Sequence, residues 1–132
     1  MTATPKRLLT ALTKRDGKVC AWHGPRCPED TLVPQHRAGR GMGGRPSLMI
    51  LANIVWLDSI TNGLIEHDSD VADVATTLGI KVSSHTRADD LAGIPIRFWD
   101  GWHLPTEPKR TPIRDDEAAE LLALHGIRTE EA

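Results

Sequence analysis

Apolar residues near the start of the chain recur at helical spacing. Leu8, Leu9 and Leu12 share one face among basic neighbours, which predicts a helix over Pro5–Lys14 that Asp16-Gly17 ends. Val19–Trp22 and Thr31–Gln35 read as two short strands joined by a Gly- and Pro-containing loop, His23–Asp30, and so predict a small hairpin. After a glycine-rich stretch, Arg37–Pro46, Ser47 is placed to cap a short turn. Ile54, Leu57, Ile60, Leu64 and Ile65 then fall at helical spacings, with Trp56 beside them. This predicts a helix from Ile54 to about Glu66, opened by Asn53. A two-stranded hairpin alone is marginal, so it should pack against this helix and bring His36 near the Asn62 face.

The remaining pattern predicts a helix over Ser69–Leu78 ended by Gly79, and a strand over Ile80–Ser83. A hairpin of Ile94–Trp99 and Trp102–Leu104 is expected to turn at Asp100-Gly101. Pro105–Arg114 reads as a loop, and Asp115 as the cap of a last helix, Asp116–His125, stopped by Gly126. The fold class expected is α+β. Residues 1–18 form an N-terminal helix, residues 19–68 a core, and residues 69–132 an extension packed on the same domain.

Charge alters this picture locally. Residues 1–46 carry nine Lys and Arg against three Asp and Glu, a balance of +6, which leaves −8 for the rest of a chain whose net charge is −2. A basic first third suggests an anion-binding surface there, although no global basic field exists to attract nucleic acid. With four Trp, one Phe and no Tyr, the core must rest on Leu, Ile, Val and the indoles. No apolar run reaches membrane-spanning length, and the cationic start lacks the apolar stretch of a secretion signal; a cytoplasmic protein is expected. Cys20 and Cys27 are the only cysteines, and in a reducing compartment they suit thiols or metal ligands better than a disulfide.

Phosphodiester hydrolysis needs a base to activate water, a cation to stabilise developing charge, and donors to hold the phosphate. Candidates for all three occur in order: Gln35-His36 at the end of a predicted strand, Asn53 ahead of a helix, and Asn62 and Glu66 four residues apart on it. Leu32-Val33-Pro34-Gln35-His36, the Gly43-Gly44 pair, Asn53-Ile54-Val55-Trp56-Leu57 and Asn62, nine residues beyond Asn53, resemble the HNH endonuclease pattern over about 50 residues. Similar short phage-type HNH-like proteins extend the likeness along the same stretches. The resemblance implies a ββα-metal core with flanking helices, followed by the C-terminal hairpin and helix. It implies His36 as general base, Asn53 bracing the loop, and Gln35, Asn62 and Glu66 around a divalent cation, Mg²⁺ or Mn²⁺. DNA is the implied partner, with Arg37, Arg40 and Arg45 as candidate phosphate contacts.

This chain departs from the pattern at two positions. Gln35 and Asn62 are neutral amides, whereas hard cations prefer carboxylates. That leaves room for another reading, a weakened HNH-derived module that binds nucleic acid or a protein partner. Many family members also hold a structural zinc through two Cys-x-x-Cys pairs. The first would fall near Cys20 and His23 and the second near Asp58 and Thr61, where no cysteine stands. Cys20, His23 and Cys27 remain as an irregular three-ligand set, so structural Zn²⁺ is not expected.

Overall fold

A computed structural model of the protein describes residues 4–39 and 46–128. Its architecture is α+β, with two small antiparallel sheets among several helices. Helix α1 (Lys6–Asp16) lays Leu8 and Leu12 into the core, as its spacing predicts. Strand β1 (Leu32–His36) follows, but its partner is not the Val19–Trp22 segment. That segment forms a tight turn closed by Gly24 N–H donating to the Cys20 carbonyl at 2.9 Å. β1 pairs instead with β2 (Ile54–Asp58), in the register Gln35↔Val55 and His36↔Ile54.

The predicted helix from Ile54 is therefore a strand followed by a helix. Ile54, Val55, Trp56 and Leu57 are all buried, on both faces of the ribbon. A short apolar run of this kind satisfies helical and strand spacing equally. The β-branched and aromatic side chains favour the strand, and Asp58 then supplies a helix cap. Its Oδ2 accepts the Thr61 backbone N–H at 3.0 Å, so helix α2 begins at Ser59 and runs to His67. Ile60 and Leu64, assigned inward by the longer helix, are solvent-exposed instead. Asp68 caps the next helix, α3 (Ser69–Thr77), by accepting from the backbone N–H groups of Asp70 and Val71.

The segment after α3 turns sharply at Gly79, whose φ is +71° and where a Cβ would run into the Pro95 carbonyl oxygen. Of the expected strand over Ile80–Ser83, only one parallel bridge, Ala38↔Val82, is present. The expected hairpin forms as β3 (Ile96–Phe98) and β4 (Gly101–Leu104), but it turns at Trp99-Asp100, and Gly101 already pairs with Phe98 in the ladder. A third strand, β5 (Thr111–Pro112), joins from the stretch expected to be a loop. Helix α4 (Asp115–Leu124) includes Asp115 in its first turn, and no side-chain cap precedes it. Among the described residues no helix is long and apolar enough to cross a membrane.

One main core takes Leu8 and Leu12 from α1, β2, Ile65 from α2, and Ile96 and Phe98 from the second sheet. A smaller cluster joins Leu48, Val82, Leu91 and Leu122. Two arginines tie the layers together. Arg15 is buried and donates to the Leu51 and Ile54 carbonyls while pairing with Asp16 at 2.8 Å. Arg110 lies 4.1 Å over the Phe98 ring and pairs with both Asp100 and Asp16, fastening the second sheet to α1.

Arg37 contradicts its expected role at a phosphate. It is 1% exposed, and its guanidinium donates to the carbonyls of Gly79, Ala52, Leu91 and Ile94 at 2.7–3.1 Å. Burial, with a smaller push from Arg15, lowers its pKa to about 9, so it remains a cation at neutral pH. Arg37→Met should cost about 3–5 kcal/mol, because it strands several buried carbonyls at once. Exposed Arg26→Met should stay within about 0.5 kcal/mol of wild type. Urea unfolding of both variants checks the contrast.

Candidate functional site

The end of β1 and the exposed side of α2 enclose a cleft of about 760 Å³. Gln35 and His36 reach it from the strand, and Asn62 and Glu66 from the helix, with Lys81 across from them. The i, i+4 relation of Asn62 and Glu66 puts both on one helical face. Five of the residues singled out from sequence, counting the almost wholly buried Arg37, thus line one surface, although the element carrying two of them starts five residues later than expected. Gln35 and His36 are half-buried and Glu66 is exposed. Gln35 Nε2 donates to the His36 carbonyl at 3.0 Å, which holds the amide in place. Asn62 Oδ1 is buried and accepts no hydrogen bond among the described residues. A buried acceptor in that condition costs about 1–3 kcal/mol, and a cation or a donor from a ligand would relieve it.

Asn53 does not line the cleft. It is fully buried in a 3₁₀ turn just before β2. Its Oδ1 accepts the Ala38 N–H at 2.7 Å, and its Nδ2 donates to the carbonyls of Ala38 and Leu48. The Arg37 N–H also donates to the Asn53 carbonyl, at 2.7 Å. Asn53 therefore acts on the chain leaving His36, as a brace and not as a helix cap. Arg40 and Arg45, with most of the glycine-rich stretch, lie outside the described residues. Lys81, absent from the sequence-based set, also lines the cleft, while the guanidinium of Arg37 is buried in the core.

A second cluster corrects the expectation that structural zinc is absent. Ligand atoms of Cys20, His23, Cys27 and Asp58 all lie within 4.8 Å of one another, an arrangement that resembles a zinc site. Asp58 Oδ1 is 3.3 Å from His23 Nδ1, 3.4 Å from Cys20 Sγ and 3.5 Å from Cys27 Sγ, and Cys20 Sγ is 3.9 Å from His23 Nδ1. Ligands at zinc bond lengths of about 2.0–2.3 Å in a tetrahedron stand roughly 3.3–3.8 Å apart; the three Asp58 separations fall in that range and the Cys20–His23 one is slightly longer. The turn closed at Gly24 brings Cys20 and His23 together. Ala21 N–H, donating to the Trp56 carbonyl at 2.8 Å, holds that turn against β2 near Asp58.

The electrostatics suit a cation. Burial, then the neighbouring Cys20 and Asp58, push the Cys27 thiol up to about 12. Burial works against the Asp58 charge, but donors from Thr61 and the two thiols outweigh it and hold that carboxyl at about 2. A dication among such groups reverses the penalty and deprotonates the thiols. Sequence reading found three of the four ligands. Asp58 was missed because a second cysteine pair was sought at that position, although a carboxylate is also a zinc donor.

Comparisons of the chain with protein-family models, curated proteins and solved structures give no match.

The purified protein should carry about one equivalent of zinc by elemental analysis. Asp58→Ala should lower affinity for the metal by at least about tenfold, because it removes one ligand and the cap of α2 together. Metal retention should also fall as pH drops, since the thiolates and imidazole are protonated. A chromogenic chelator follows both effects.

Proposed function

We propose that the chain is an HNH-like nuclease that hydrolyses DNA phosphodiester bonds with the help of a divalent cation. The observation that carries this reading is the cleft shared by Gln35, His36, Asn62 and Glu66. The order of elements supports it: His36 ends β1, Asn53 precedes β2, and α2 with Asn62 follows directly. We read these three elements as a ββα-metal core.

In this reading His36 takes a proton from the attacking water, and Asn53 acts as a positioning residue through the chain just beyond His36. Asn62 Oδ1, the Gln35 side-chain carbonyl and the Glu66 carboxylate are the oxygen donors that would hold the cation. When bound, the cation neutralises charge on the phosphate and the leaving oxygen. Lys81 supplies positive charge toward the substrate phosphate.

The donor set also favours a second reading. Glu66 is its one carboxylate, and hard cations bind weakly to amides. A module that binds nucleic acid or a protein without cutting would keep the same cleft.

Incubation with supercoiled plasmid and Mg²⁺ or Mn²⁺ separates the two. Under the nuclease reading His36→Ala drops turnover by about 10²–10⁴-fold. Glu66→Gln raises the metal concentration required, and Gln35→Asp lowers it by restoring a carboxylate. Absence of metal-dependent cleavage in the wild type, or cleavage that persists in His36→Ala, would sink the nuclease assignment.

A further inference from the structure

A second cavity, of about 530 Å³, adjoins the His36 cleft along α3. Ala72 lines the first and Thr76 the second. Residues four apart stand one above the other on a helix, with Cβ atoms about 5–6 Å apart. The next segment repeats the adjacency, since Lys81 lines the cleft while Val82 and Ser83 line the second cavity. The two depressions thus share two segments of the chain, α3 and the stretch that follows it.

The second cavity has an apolar floor that includes Val82 and Ile94, both buried. Arg87, Arg128, His85 and His125 stand among its lining, and Asp90 is the one acidic residue with them. The Ser83 hydroxyl accepts the His85 N–H and the Ser83 carbonyl accepts the Thr86 N–H, which fixes the turn bearing this rim. Arg87 and Arg128 are exposed, and among the described residues neither forms an ion pair. Three other arginines are committed: Arg15 and Arg37 inside the fold, and Arg110 to two carboxylates. Two guanidinium groups without an ion pair among the lining of one depression are suited to an anion with several acceptor oxygens.

We propose that this cavity is a second phosphate-binding subsite, in which Arg87 and Arg128 hold the backbone of a DNA strand that occupies the His36 cleft. The inference rests on reading that cleft as a DNA-processing site. Phosphate contacts position a strand without selecting sequence, so the subsite sets register and affinity.

Binding of a fluorescein-labelled 20-nucleotide DNA, followed by anisotropy in EDTA over a salt series, tests it apart from cleavage. Arg87→Gln/Arg128→Gln should weaken binding at low salt by about tenfold or more and flatten the log K against log salt slope by roughly 1–2. Asp90→Asn should tighten binding. Arg97→Gln/Arg114→Gln, which removes the same charge elsewhere on the surface, should keep the wild-type slope. Melting by circular dichroism should be unchanged in the Arg87/Arg128 variant, because both side chains are exposed. An unchanged affinity and slope in that variant overturns the subsite and leaves the cleft reading standing. Arginine-dependent binding by a protein that cuts no plasmid with any divalent metal supports the subsite and sinks the nuclease reading. No binding by the wild type at low salt overturns the subsite outright.

Discussion

A single buried guanidinium organises much of this protein. Arg37 leaves β1 one residue after His36 and turns into the interior, where it collects carbonyls from the turn before β2, the Gly79 turn and the 3₁₀ segment ending near Ile94. No carboxylate pairs with it among the described residues. Such a cation is tolerated in a core because its donors meet acceptors at nearly every direction of the planar fork. The arrangement gives three irregular segments a common anchor. Each would otherwise bury backbone carbonyls without partners.

The anchor also explains how the His36 cleft is built. His36 stands at the last ladder position of β1, and the residue after it is locked from two sides, by Arg37 donating inward and by Asn53 gripping Ala38. A strand end is usually free to fray; here it is held by groups with no exposure of their own. His36 therefore lines the cleft from an anchored strand end, with Asn62 and Glu66 of α2 also lining it.

Parts of this were legible in the sequence. Helical spacing located α1, α3 and α4 to within a residue or two, and Asp100-Gly101 located the hairpin with its turn one residue too late. The order Gln35-His36, Asn62, Glu66 indicated side chains that share a surface, whereas Asn53 is buried behind it. The elements between them were misread for a physical reason. Ile54–Leu57 is buried on both faces, so it carries no alternation to separate strand from helix, and with it β1 lost its true partner. Arg37 was assigned to phosphate because an arginine beside glycines is ordinarily exposed, and nothing local marks one whose partners lie 15 to 57 residues away. Asp58 carried a local signal as a helix cap, but its second role depends on a turn 38 residues earlier.

Asp58 therefore occupies a position where two requirements meet on one short side chain. One oxygen starts α2, and the other faces two thiols and an imidazole. Asparagine there would preserve the cap and forfeit the anionic donor. Cysteine would restore a soft ligand and forfeit the capping oxygen, and alanine would lose both. The position is constrained from two directions at once, so sequence change at Cys20, His23 or Cys27 and change at the start of the cleft-forming helix are not independent. A lineage that drifted at one would have to drift through Asp58 to reach the other.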